Sequence, residues 1–234
     1  MDEISMPISF KQGDQYLSAT NRILMRRYFP PEETEELNRK LELAAREGIS
    51  AEKQDSYWQT PGTWLNGSTD CIQALRKRIT EAIDHYLVNV YNRNHSSIDG
   101  RTLPADYKHK IELWGWAGGS VSEANNPPHV HRNSHLSGIY YIKGISPGEV
   151  DPVDYSGCVV FILSDGAEEV VMGSYAAPHH LPVHPLPGLL LVFPSYLRHF
   201  VNRFRFRKFE RLYVSFNCRF DTAPEVMSDP SRRR

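Results

Sequence analysis

Hydrophobic and polar positions along this chain follow two spacing rules, with the change falling near residue 100. Residues 16–29 mix β-branched, aromatic and charged side chains without a helical period, and Pro30-Pro31 stops whatever precedes them, which predicts a strand near Arg22–Tyr28. Pro31 suits a first helical turn, Glu32, Glu33, Glu35 and Glu36 suit the positive end of a helix, and Gly48 is positioned to end it. Leu37, Leu41 and Ala45 recur at four-residue spacing, the pattern of a surface helix with one narrow apolar stripe. A second helix is predicted from Asp70, whose carboxylate is expected to cap free amides while Gln73 reaches back. Ile72, Leu75, Ile79, Ala82, Ile83, Tyr86, Leu87 and Val90 keep its helical period. Residues 92–104 are polar, contain Gly100 and read as a loop.

From His109 onward the apolar residues form short blocks separated by Gly, Pro, Asn and Asp. Strands are predicted at 109–117, 136–143, 157–163, 170–175, 189–193, 197–201 and 211–220, each rich in β-branched and aromatic residues. Seven or eight strands at this spacing make a double-sheet jelly roll or similar sandwich, which the two helices brace from outside. The fold class is therefore mostly β with added α. A length of 234 residues suits one domain. Within it, residues 1–104 supply a strand and supporting helices, 105–220 the jelly-roll core and 221–234 a tail.

Composition narrows the function. Hydrophobic residues at 40% and charged residues at 24% exclude a disordered chain and a coiled coil. A net charge of −1 argues against a dedicated nucleic-acid binder. Apolar runs such as 189–193 are far short of a bilayer span. Residues 1–7 lack the cationic and apolar segments of a secretory signal, so a cytoplasmic, reducing location is expected. Cys71, Cys158 and Cys218 form no CxxC pair and read as buried thiols.

Charge within the β region is uneven. Lys and Arg are absent between Lys143 and Arg198, while Glu149, Asp151, Asp154, Asp165, Glu168 and Glu169 are acidic. The sign then reverses through Arg198, Arg203, Arg205, Arg207, Lys208 and Arg211, interleaved with Phe200, Phe204, Phe206 and Phe209. That alternation is open to a nucleic-acid surface and to a strand with one buried and one solvated face.

Ten histidines is a high count, and seven lie between His129 and His199. His129 and His131 are two residues apart on an extended segment, which points both imidazoles to one face and lets one strand offer two ligands to a metal. Surface or core histidines give the same pattern. His199 follows an apolar strand and a turn, and a sandwich can fold that strand back across the pair. Imidazoles suit Fe, Zn, Cu or Ni, so ligand type does not choose the metal. Trp114, Trp116, Tyr140 and Phe193 are candidate pocket walls; His179, His180 and His184, flanked by Pro178, Pro182 and Pro185, read as a rim loop with a lid or acid–base role open to them.

The segment His129-Val-His-Arg-Asn-Ser-His-Leu-Ser-Gly-Ile-Tyr-Tyr141 resembles the "HxH, small polar loop, LSGVYY" signature of a group of 2-oxoglutarate- and Fe(II)-dependent oxygenases. Gly188-Leu-Leu-Leu-Val-Phe-Pro-Ser-Tyr-Leu-Arg-His199 resembles their "GxLvlFPsxlxH" strand and turn, and Arg211-Leu-Tyr-Val-Ser-Phe-Asn217 their "RxxxSFN" strand. The resemblance extends over residues 57–220. It implies a cupin-like double-stranded β-helix and an oxidoreductase, a dioxygenase using Fe(II) and 2-oxoglutarate with O2 and releasing succinate and CO2. Hydroxylation of a small-molecule or peptide substrate is the expected outcome. His129 and His199 match the two iron-binding histidines of the wider superfamily, while its carboxylate position is His131 here. Catalytic iron is then held by His129, His131 and His199, or a distant carboxylate such as Asp154 or Glu123 closes the set. Arg211 matches the arginine that grips the far carboxylate of 2-oxoglutarate through two parallel hydrogen bonds. Tyr141, Tyr213 and Ser215 are expected beside it. Two alternatives stay open: a cupin-like three-histidine metal enzyme that does not use 2-oxoglutarate, and a non-catalytic jelly-roll binding module.

Overall fold

The computed structural model describes residues 13–19, 22–47, 49–54, 57–92, 107–120, 126–163, 180–203 and 210–221. The chain opens with antiparallel β1 (Gly13–Ala19) and β2 (Arg22–Tyr28), then α1 (Pro31–Arg46), the single turn α2 (Ala51–Gln54) and the short β3 (Trp58–Gln59). Helix α3 (Asp70–Tyr86) runs on as a wider π-type turn over Leu87–Asn92. The β region follows as β4 (Ile111–Ser120), β5 (Asn126–His129), β6 (Leu136–Lys143), β7 (Val159–Ile162), β8 (His180–Val183), β9 (Leu189–Pro194), β10 (His199–Val201) and β11 (Arg211–Phe220).

These strands form a seven-stranded sheet ordered β1-β2-β9-β6-β11-β4-β3 and a four-stranded sheet ordered β5-β10-β7-β8, with all recorded pairings antiparallel. Period-two alternation gives the large sheet two apolar faces. On one face Leu190, Val192, Leu212, Val214 and Phe216 join Leu41, Ala45, Ile72, Leu75, Ile79 and Ile83 of α1 and α3 in one core. On the other, Leu189, Leu191, Phe193, Tyr141 and Tyr213 join Val159, Phe161 and Val183 of the small sheet in a second core. The sheets therefore face each other as a jelly roll, a double-stranded β-helix, with the helices on its outer side. Burying a side chain such as Ile79 or Leu75 contributes about 1.5–3 kcal/mol, so the helical layer is a substantial part of the fold.

Several expectations need correction. Asp70 is not the cap of α3: Thr69, in extended conformation, occupies the cap position without a side-chain cap bond, and the Gln73 amide donates instead to the Gly67 carbonyl. Strands β1 and β3 were not in the pattern. His180 and Pro182 belong to strand β8 rather than a rim loop, an edge position where proline's missing N–H is tolerated. Cys158 and Cys218 are buried, but Cys71 is only half-buried at the start of α3. The loop expected within 92–104, the strand at 170–175, the basic stretch at 205–208 and Glu123 lie outside the described residues, apart from Asn92 at the end of the π-type turn. Among the described residues no helix is long and apolar enough to cross a membrane.

His109 fastens the two ends of the β region to the helical layer. Its Nδ1 lies 2.6 Å from the Asp221 carbonyl and its Nε2 2.9 Å from Oδ1 of Asn92. Tyr91, Tyr107 and Phe220 stand edge-on around the ring.

Candidate metal centre and anion pocket

The small sheet builds the metal-binding end. β5 and β10 pair so that His129 lies directly opposite His199, with ring centroids 4.4 Å apart. His131 follows the end of β5, where its backbone N–H donates to the Ser195 carbonyl at 2.9 Å. Its ring stacks on His199 at 5.1 Å with an interplanar angle of 6°. One ligand nitrogen from each of the three rings falls within 4.8 Å of the others, and no carboxylate joins this group among the described residues. Asp154 is elsewhere, its carboxylate accepting the Ser156 backbone N–H.

Hydrogen bonds decide which nitrogen each ring can offer. Nδ1 of His129 lies 2.8 Å from the Pro127 carbonyl and Nδ1 of His199 lies 2.9 Å from the Leu197 carbonyl. A carbonyl only accepts, so both Nδ1 atoms carry the proton and both Nε2 lone pairs are free to coordinate. Burial, reinforced by its histidine neighbours, holds His199 down to about 3, and burial with His129 holds His131 down to about 4. Both rings are thus neutral at pH 7, as a metal ligand must be. The two Nε2 atoms of His131 and His199 approach to 3.3 Å, which a proton on His131 or a cation between them reconciles. A side-chain hydrogen bond joins Asn217 to His131, and the Ser137 hydroxyl donates to Asn217 Oδ1 at 2.8 Å. Ring orientation is therefore set from behind. Phe193 and Phe161 pack against His199 and shield it. This donor set fits a divalent transition metal of the Fe, Zn, Cu or Ni group.

The large sheet builds the other end of the same pocket. Arg211, Tyr213, Ser215 and Asn217 alternate onto the face of β11 that looks at the small sheet, and the first three line the pocket with Ile139, Tyr141, Trp116 and the three histidines. Arg211 is 4% exposed, and its Nη1 donates to the Gly157 carbonyl at 3.3 Å. The guanidinium lies 5.2 Å from the Tyr213 ring centroid. Burial pushes the Tyr141 hydroxyl well above the ordinary phenol range, so it remains an O–H donor at neutral pH. The Tyr213 phenol lies over Gly118, where any Cβ would fall 2.6 Å from its hydroxyl, so only glycine leaves that path open. Gln59 then donates to the Tyr213 hydroxyl at 3.4 Å and hydrogen-bonds Tyr57.

All seven residues singled out from the sequence, His129, His131, His199, Tyr141, Arg211, Tyr213 and Ser215, thus meet in one pocket. Among the proposed walls, Trp116 lines it and Phe193 backs the histidines. Tyr140 does not, because it points to the helical face and donates to Asn38 Oδ1 at 2.7 Å. Trp114 lies one pleat beyond the pocket under the Arg219 guanidinium. His184 hydrogen-bonds the Asp154 carbonyl and His180 packs on Phe200, both apart from the pocket, and His179 lies outside the described residues. Sequence reasoning missed Tyr57, Gln59 and Asn126, which line the pocket from short edge segments with no motif of their own, and Val201 at the end of the short interior strand β10. It also left Asn217 without a role, although the SFN motif contains it.

Residues 115–217 match the profile of a family described as "Putative 2OG-Fe(II) oxygenase". No curated protein matches the chain. Among solved structures, a prolyl-4-hydroxylase from Pseudomonas putida is similar at a TM-score of 0.53 and 15% identity, over 84% of this chain and 91% of that one. AviO1 from Streptomyces viridochromogenes Tue57 is similar at 0.50 and 15% identity, over 86% and 90%. The epimerase SnoN, solved with Fe3+, alpha ketoglutarate and nogalamycin RO, is similar at 0.50 and 13% identity, over 83% and 78%. At these identities the likeness speaks for the fold, while the family match rests on the segment that holds all three histidines and Arg211. That segment, residues 115–217, belongs to the 2OG-Fe(II) oxygenase family, a family of oxidoreductases.

Proposed function

We propose that the chain is an Fe(II)- and 2-oxoglutarate-dependent dioxygenase that hydroxylates a small-molecule or peptide substrate. In this reading His129, His131 and His199 hold the iron, and Arg211, with Tyr141, Tyr213 and Ser215, receives the far carboxylate of 2-oxoglutarate. The observation that carries it is one pocket with three imidazoles converging at one end and a buried guanidinium at the other. Three uncharged ligands leave the metal its full double charge, which a dianionic co-substrate balances. A guanidinium meets a carboxylate with two parallel hydrogen bonds, and burial strengthens that contact.

Iron with 2-oxoglutarate supplies the oxidising chemistry, in which a substrate C–H, O2 and 2-oxoglutarate become C–OH, succinate and CO2. The protein's part is orientation and exclusion of water. Asn217, Pro127 and Leu197 fix the imidazoles, and Phe161 and Phe193 close the pocket behind them. The single domain spanning 1–234 and a cytoplasmic location belong to the same proposal.

The test is anaerobic addition of Fe(II) and then 2-oxoglutarate, followed by the weak visible charge-transfer band of the chelate. Iron at one equivalent, a saturable band and succinate release on admitting O2 are expected. Full iron loading and turnover in His131→Ala would overturn the three-histidine set. Metal-dependent activity with no band would point instead to the three-histidine enzyme without 2-oxoglutarate.

A further inference from the structure

The indole nitrogen of Trp116 is shielded from solvent, lines the pocket and has no hydrogen-bond partner among the described residues. A buried donor left unmatched is costly, and such groups in native proteins call for a ligand or ordered water. Trp116 is also held firmly. On one side of it Gly115 donates its N–H to the Gly62 carbonyl, and a Cβ there would fall 2.5 Å from the Ser215 carbonyl, so β4 lies tight against β11. On the other side Ala117 exchanges hydrogen bonds with Thr60, its N–H donating to Oγ1 and its carbonyl accepting the Thr60 N–H, both at 2.9 Å. The backbone that carries Trp116 is therefore fixed on both sides before any ligand arrives.

Its row in the sheet says which end of a ligand it meets. Trp116 pairs with Ser215, whereas Ser120, four residues along β4, pairs with Arg211. The neighbouring row on the other side holds Asn217, which is bonded to His131. The indole thus lies toward the histidine end of the pocket. Gly118, the next residue on that face, has no side chain, and the Tyr213 phenol occupies the space over it.

We propose that Trp116 is a positioning residue for the co-substrate, its indole N–H donating to an oxygen at the metal-facing end of 2-oxoglutarate while Arg211 grips the other end. This rests on the 2-oxoglutarate reading of the pocket. Two donors at opposite ends would fix both the position and the tilt of the co-substrate, which one arginine cannot do.

Two measurements test it. Trp116→Phe keeps a large ring but removes the N–H; anaerobic Fe(II) protein titrated with 2-oxoglutarate should show affinity weakened by about tenfold or more, the size expected for a hydrogen bond to a charged group. Iron loading should be unchanged. In wild-type protein loaded with diamagnetic Zn(II), the 15N-indole resonance missing from the Trp116→Phe spectrum should move on adding 2-oxoglutarate, with the other indoles nearly still. A normal wild-type band, equal affinity in the variant and a stationary Trp116 resonance would overturn the inference while leaving the co-substrate reading intact. Absence of the band in wild-type protein would overturn both.

Discussion

His129 and His199 face each other across the β5–β10 ladder, so the distance between the two rings is set by strand pairing rather than by side-chain choice. His131 differs: it lies past the strand end, where its backbone N–H donates to the Ser195 carbonyl and its own carbonyl accepts from the Ser134 hydroxyl. Two of the three nitrogens are thus presented before a metal binds, and the third is carried on a turn where Arg132 leads into Asn133, whose φ of 61° puts it in the left-handed region. Asparagine tolerates that conformation better than most residues.

Arg211→Ala should weaken 2-oxoglutarate binding by about ten- to a hundredfold, since hydrogen bonds to charged groups contribute about 1.5–3 kcal/mol. Arg211→Lys should recover only part of the loss, because an ammonium cannot offer the two-pronged geometry. Titration of the charge-transfer band in the three proteins measures both, with iron content as the control.

Adjacent tyrosines should behave oppositely. Tyr140→Phe strands Asn38 Oδ1 in the helical core and should cost about 1–3 kcal/mol in urea unfolding, with co-substrate affinity unchanged. Tyr141→Phe should leave stability nearly untouched and weaken 2-oxoglutarate binding. The opposite result would mean that the two faces of β6 have been exchanged.

Ile79→Ala removes a fully buried side chain between α3 and the large sheet and should cost about 2–5 kcal/mol. If helices and jelly roll are one domain, calorimetry will show a single transition moving as a whole. Two separated transitions would contradict the single-domain proposal.

Thiol chemistry should discriminate among the cysteines. Burial, aided by nearby carboxylates, pushes Cys158 and Cys218 up to about 12, so their thiolates form only as pH rises toward that value. At pH 8 an alkylating agent should modify half-exposed Cys71 alone in the folded protein and all three after unfolding. Mass spectrometry of the peptides reads the outcome.

How much of this was legible beforehand depends on where the signal lies. Strands Leu136–Lys143 and Arg211–Phe220 have the bounds the alternation predicts, because both are central in the large sheet and every side chain has a face to choose. The stripe of α3 was equally clear, since all eight of its periodic residues are buried. β1, β3 and β8 are two edges of the large sheet and one of the small, where half the backbone pairing and much of the burial pressure are missing. The same loss hid Tyr57 and Gln59, which reach the pocket from edge strand β3 and the residue before it. The three histidines and Arg211 could be named because motif order carried them. What no linear pattern showed was Asn217 turning from motif residue to support for His131, since that relation is made only when β11 crosses behind the turn after β5.

The clasp at His109 bears on where the chain can be cut. Its grip on the C-terminal side is the carbonyl of Asp221, reinforced by the Lys110 N–H donating to the Asp221 carboxylate at 2.8 Å. A truncation ending at Phe220 would strip both acceptors from the imidazole and from Lys110, and loosen the end of β11, the strand that carries Arg211 at its beginning. Ending at Asp221 would retain both and add a terminal carboxylate beside the ring. A shortened protein should therefore end no earlier than Asp221, one residue beyond the last strand.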